Sequence, residues 1–189
     1  MDDTTKVLLT TGAAAVVAFA GYWAKYLNDL TIARRKDRLE RVSRQLSELY
    51  GPLYAHLCAS DAAWKAFFDA YSPGPRSFWG DKVPTEEQAA AFRLWMTSVF
   101  MPMNTAMVDA FTQHADLIDE DEMPKCLLDL AAHVAAYRAV LKSWEAGDFS
   151  THTSLLNFPA AALESYLAPA YRRLKRRQLE LLGQTDRHQ

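Results

Sequence analysis

The spacing of apolar and polar positions divides this chain into one long uncharged run followed by four amphipathic stretches. No charge falls between Val7 and Ala24, and Lys6 and Lys25 flank the run. That is about the ~20 residues a helix needs to cross a bilayer at ~1.5 Å per residue. Tyr22, Trp23 and Tyr26 stand at its downstream edge, where amphipathic rings favour the headgroup region. The pattern predicts an N-terminal transmembrane helix spanning about 7–24, within an anchor of residues 1–30. A helical domain fills residues 31–189.

From Asp37 onward the apolar positions take helical spacing. Leu39, Val42, Leu46, Leu49 and Leu53 form a 3-4-3-4 seam with charged residues on the other faces. Nothing between Lys25 and Asp37 strongly breaks a helix, so the membrane helix is expected to run into this one. Gly51-Pro52 predicts a kink, because proline removes an interior hydrogen bond and crowds the preceding turn. The stretch resumes through Leu57, Trp64, Phe67, Phe68 and Tyr71 and stops at Ser72-Pro-Gly-Pro75.

A loop containing Phe78 and Trp79 follows. Thr85 with Gln88 three residues later has the form of a capping box, which starts the second stretch. Its apolar face reads Phe92, Met96, Val99, Met103, Ala106 and Ala110, with a bend expected at Pro102. The methionines clustered between Met96 and Met107 suit an irregular core beside that bend. Leu127, Leu130, Val134, Tyr137, Leu141 and Trp144 mark the third stretch, opened near Pro124 and closed by Gly147. A long loop to Pro159 leads to the fourth, which carries Leu163, Leu167, Ala170 and Leu174 and ends at Gly183. No useful strand-like alternation and no internal repeat occur. The fold expected is all-α: the transmembrane helix continues into a cytoplasmic antiparallel four-helix bundle with kinked long helices.

Charge orients the anchor. The segment before the run carries two acids and one base, unlike the basic start of an export signal, although Ala18-Phe19-Ala20 resembles a cleavage site. After the run, Lys25, Arg34, Arg35, Lys36, Arg38, Arg41 and Arg44 outnumber Asp29, Asp37 and Glu40. The positive-inside rule then puts the N-terminus outside and the bundle in the cytoplasm, as a single-pass protein of the cytoplasmic membrane. The run is rich in small residues. Ala14, Ala18 and Gly21 are spaced to let helix backbones approach, and Thr10 and Thr11 could supply interhelical or pore-lining hydrogen bonds.

A second basic cluster, Arg172, Arg173, Lys175, Arg176 and Arg177, lies near the C-terminus. In an alternating bundle it returns to the membrane side, so that it and Arg34, Arg35, Lys36 and Arg38 face the anionic inner leaflet. The five acids between Asp116 and Glu122 reach the same end and could neutralise these bases within one subunit or between subunits. They lack the ligand order of a calcium loop.

Signs of catalysis are scarce. Asp129 and His133 are four apart, but no Glu-x-x-His pair of a di-iron bundle occurs, and His133 reads as a hydrogen-bonded helix histidine. His152 sits among hydroxyl residues without specifying a triad. No phosphate-binding glycine loop, H-E-x-x-H motif or zinc spacing is present. Cys58 and Cys126 read as small buried apolar residues. No metal or cofactor is expected, and no small-molecule substrate is indicated. A net charge of -2 argues against general nucleic-acid coating.

The expected function is a non-enzymatic, membrane-anchored interaction or oligomerisation module. Its partners are the lipid bilayer, further copies of itself and a possible second protein. One alternative is an oligomeric pore-forming or membrane-disrupting effector, similar only in broad layout to small membrane effectors of antiphage systems. Another is a nucleic-acid-binding bundle using Arg172 to Arg177.

Overall fold

A computed structural model describes residues 3–75, 78–80 and 82–183, with side chains described from Phe19 onward. Among these residues the structure is all-helical, without strands. Helix α1 (Asp3–Arg44) passes through a π-turn (Gln45–Tyr50) into α2 (Gly51–Tyr71). Helix α3 (Glu86–Trp95) passes through a second π-turn (Met96–Phe100) into α4 (Met101–Gln113). Helices α5 (Lys125–Glu145) and α6 (Ala160–Leu182) complete four rods.

The rods close into a ring in which α2 packs on α4 and α6, α4 on α5, and α5 on α6. Between them lies one apolar core, which includes Leu49, Leu53, Phe67, Met107, Leu127, Leu130, Leu163 and Leu167. Helix α6 runs antiparallel to the first rod. It passes Tyr50 at Tyr166 and Ser43 at Gln178, and reaches Arg35 at Leu181.

Helix boundaries follow local chemistry. Thr85 accepts from the Gln88 backbone N–H while the Gln88 side chain accepts from the Thr85 N–H, so the expected capping box starts α3. Gly147 and Gly183 stand at φ 80° and 75°, the left-handed conformation that closes α5 and α6 as anticipated. The expected continuity from the N-terminal helix into the bundle also holds, since α1 is unbroken over 42 residues.

The two expected bends take a specific form. Each is a π-turn just before a proline, Pro52 or Pro102, and its wider ring accommodates the missing N–H. In the first, the Gly51 N–H donates to the Leu46 carbonyl, and a Cβ at position 51 would run into that oxygen. The second corrects the face predicted for α4. Phe100, Met101, Asn104, Met107 and Phe111 are buried in place of the expected Val99, Met103, Ala106 and Ala110. A π-turn adds one residue to a turn, which advances the buried positions by one. Pro169 leaves α6 unbroken because it faces solvent, where water can satisfy the carbonyl it displaces.

The expected membrane span is not supported. Among the described residues no helix is long and apolar enough to cross a membrane. Most of the 7–24 run, including Thr10, Thr11, Ala14 and Ala18, has side chains outside the described residues. The reading of both cysteines as buried needs correction: Cys126 is buried but Cys58 is exposed.

Candidate functional site

The two ends of the bundle carry different chemistry. At one end α1 projects past its partners, and from Phe19 to Arg38 every side chain is exposed except the half-buried Leu30. Phe19, Trp23 and Tyr26 form a continuous aromatic band, with centroids 6.3 Å and 6.0 Å apart, and Tyr22 is 69% exposed beside it. Gly21 has open space around it.

Below this band the basic residues gather. Arg34, Arg35, Arg38, Thr31 and Leu181 line a groove of about 360 Å³ where α6 ends against α1. Arg172, Arg173, Lys175, Arg176 and Arg177 are exposed along α6 on its way to that groove. The antiparallel return sets this cluster alongside the first rod between Tyr54 and Ser43, and only Leu181 at the end of α6 reaches the groove beside Arg35. Arg35 is partly diverted, because its Nε donates to the Leu181 carbonyl at 2.8 Å and so caps the negative end of α6. Arg177 pairs with Glu180 at 2.9 Å, and Lys175 donates to Gln178 at 3.0 Å.

The acidic loop meets α1 within the same chain. Arg41 pairs with Asp119 at 3.0 Å, and Arg44 reaches Glu48 at 3.2 Å and Asp116 at 3.8 Å. Gln45, 2% exposed, donates to the Leu117 carbonyl at 2.9 Å and pins the loop from below. Tyr166 donates to Glu120 at 3.1 Å, so its remaining oxygen lone pairs receive the Tyr50 hydroxyl at 3.0 Å. Burial and the neighbouring Glu120 carboxylate push the Tyr166 phenol far up, and burial raises that of Tyr50. The loop thus neutralises bases near the end of α1, while the cluster on α6 stays exposed.

The far end contains a cavity of about 560 Å³. It opens between α2, the rod of α3, the second π-turn and α4, α5 and the start of α6, and loop residues 78–79, 153–154 and 156–158 line it. Helix α5 straps the second loop down through three side-chain donors. The Trp144 indole donates to the Thr151 carbonyl at 2.8 Å, Tyr137 to His152 at 2.9 Å, and His133 Nδ1 to Leu156 at 2.7 Å. The His152 ring lies flat on Trp79 with centroids 4.1 Å apart, joining the two loops, and Arg93 sits 4.2 Å over the Phe149 ring.

Aromatic rings dominate the cavity wall, among them Trp64, Phe78, Trp79, Phe92 and Phe100. Three described side chains on the wall, Ser60 (7% exposed), Asn104 (3%) and His133 (4%), are buried and polar. Asn104 Oδ1, His133 Nε2 and the Trp79 indole N–H lack hydrogen-bond partners among the described residues. Burial lowers the His133 pKa, which keeps the ring neutral; with the proton on Nδ1 facing Leu156, Nε2 is an acceptor.

The expectation that His133 is a hydrogen-bonded helix histidine holds, and Asp129 pairs with Lys125. His152 stacks on an indole and has no nucleophile partner among the described residues. The cavity was missed by sequence reasoning. Its one available signal was Asn104, a polar residue continuing the row Phe92, Met96, Phe100 at four-residue spacing. Among the described residues no group of three or more His, Cys, Asp or Glu side chains is placed to hold a metal ion. The sequence matches no protein-family model, and neither a curated protein nor a solved structure is detectably similar to it.

Proposed function

We propose that this chain is a non-enzymatic interaction module anchored to a bilayer by its N-terminal helix, with the bundle held against an anionic leaflet. The observation that carries the reading is the aromatic band at Phe19, Tyr22, Trp23 and Tyr26, exposed among the described residues and followed along α1 by the basic groove of Arg34, Arg35 and Arg38. Rings of this kind favour the membrane interface, and each surface base near anionic lipid contributes roughly 1 kcal/mol. The uncharged run 7–24 supplies the inserted segment, with the N-terminus on the far side. Arg34, Lys36, Arg38, Arg172, Arg173 and Arg176 face headgroup phosphates in this arrangement. The groove beside Arg34 and Arg38 accommodates one of them.

Self-association through Ala14, Ala18 and Gly21 is part of the same reading, supported by the open space beside Gly21. Flotation of the full chain with phosphatidylglycerol vesicles tests the anchor. The protein is expected to float with vesicles and to resist extraction by high salt. Recovery in the unbound fraction would sink the reading, and leakage of a trapped dye would favour the pore-forming alternative.

A further inference from the structure

We infer that the cavity at the far end of the bundle binds a small organic cation, an ammonium carrying methyl or aryl groups, drawn to an aromatic wall by the charges of Asp61 and Glu164. The volume of about 560 Å³ falls within the range of small-molecule sites, roughly 300–1,000 Å³. Among the described residues that line it there is no lysine or arginine, whereas Asp61 and Glu164 both line it and are both exposed. Burial keeps His133 neutral, so it adds no opposing charge. Tyr54 on the wall registers both signs: Cys58 chiefly raises its phenol, Arg172 lowers it and Glu164 raises it. One guanidinium therefore opposes two carboxylates.

The aromatic geometry suits that charge. Asp61 and Trp64 stand three residues apart on α2, neighbours on one helix face, and both line the cavity. The part-exposed Trp64 ring lies 5.5 Å from Phe100 and 6.2 Å from Phe68, so it continues into an aromatic surface whose further rings are more deeply buried. A cation over a ring face is attracted by the ring's quadrupole, most strongly for tryptophan, and its methyl or aryl groups bury apolar area there. A bare metal ion would forfeit its water shell, and among the described residues no group of three or more His, Cys, Asp or Glu could replace it. An anion meets charges of its own sign. Clefts lined by one sign of charge concentrate the opposite sign, so direct contact with either carboxylate is not required. The unpartnered atoms of Asn104 and His133 are sealed from solvent and take no part. Neither the bilayer nor self-association enters this inference.

The test uses three probes with one benzyl body and heads of similar size: benzyltrimethylammonium, neutral phenylmethanesulfonamide and anionic phenylmethanesulfonate. Each is titrated calorimetrically into the full chain in phosphatidylcholine nanodiscs, with empty nanodiscs subtracted. Chain that stays outside the discs is titrated as it is, so the result does not depend on the bilayer reading. Alkylation of Cys58 by iodoacetamide reports on the cavity, because this thiol is exposed and lines it, and so separates the cavity from the basic end, where the sulfonate can bind. The wild type is expected to bind the ammonium on the order of tenfold tighter than the neutral probe. Saturating ammonium should slow Cys58 alkylation, and the sulfonate should leave it unchanged. Asp61→Asn combined with Glu164→Gln should lower the affinity for the ammonium by roughly threefold to tenfold and leave that for the neutral probe unchanged. Ammonium binding no tighter than that of the neutral probe, Cys58 alkylation that it fails to slow, equal protection by the sulfonate, or an unchanged ammonium affinity in the double variant would each overturn the inference. The wild-type measurements decide the matter even where the variant fails to fold.

Discussion

His133 Nδ1 donates to the Leu156 carbonyl at 2.7 Å, so one buried ring both fastens the 147–159 loop to α5 and keeps its other nitrogen buried, without a partner among the described residues. Burial is the larger influence on this ring and lowers its pKa, while the bond to Leu156 acts in the opposite direction. The folded state therefore binds the proton more weakly than the unfolded chain, whose histidine titrates near about 6.5. Stability is full above that pH and drains as pH falls toward the lower folded value. The urea midpoint should fall between pH 7 and pH 5, and less steeply in His133→Gln. Parallel curves for the two proteins would show that His133 does not contribute.

The first π-turn makes a prediction opposite to the usual rule for helical glycine. Alanine normally stabilises a helix over glycine, by about 0.4–1 kcal/mol where the backbone permits. At Gly51 the added methyl meets the Leu46 carbonyl oxygen, and overpacking of that kind costs about 1–3 kcal/mol. Gly51→Ala should be destabilised in urea unfolding by about 1–2 kcal/mol. A gain in stability would mean that the turn relaxes to regular helix.

Gln45 joins the first rod to the acidic loop through a bond that solvent does not replace. Gln45→Leu fills similar space but leaves the Leu117 carbonyl without its donor. The expected loss is about 1–3 kcal/mol. By contrast Arg41→Gln, which breaks an ion pair about half exposed on both sides, should cost under about 1 kcal/mol. Denaturant titration of the two variants separates these effects.

The contrast between strong local signals and missed tertiary ones is clear in the helices. The Thr85 and Gln88 box, the closing glycines and the seams of α5 and α6 were legible because each depends on residues within one or two turns. The buried face of α4 was misread because Pro102 announces a bend but not the π-turn before it, which shifts helical periodicity by one residue. Phe78, 2% exposed, read as a loop residue, since only the fold brings that loop over Phe67 and Phe92. The cavity was invisible for the same reason: it is built from α2, α3, the second π-turn, α4, α5, α6 and two loops. The acidic loop was recognised, but its choice of Arg41 and Arg44 required the packed bundle.

The basic end makes a prediction about lipid charge. Replacing Arg34, Arg38, Arg172 and Arg173 together by glutamine should weaken binding to vesicles containing phosphatidylglycerol by roughly 1 kcal/mol per residue that lies near the surface. Affinity for purely phosphatidylcholine vesicles should change little. Equal losses on both vesicle types would point to a damaged fold rather than lost electrostatics.

The most direct test of the bilayer reading places Trp23 relative to lipid. The full chain is reconstituted into vesicles whose acyl chains carry bromine, and tryptophan quenching is compared with that of Trp23→Phe. Trp23 is 52% exposed on α1, whereas Trp64, Trp79, Trp95 and Trp144 belong to the bundle. The account predicts strong quenching in the wild type that is largely lost in Trp23→Phe. Equal, weak quenching in both proteins would contradict it.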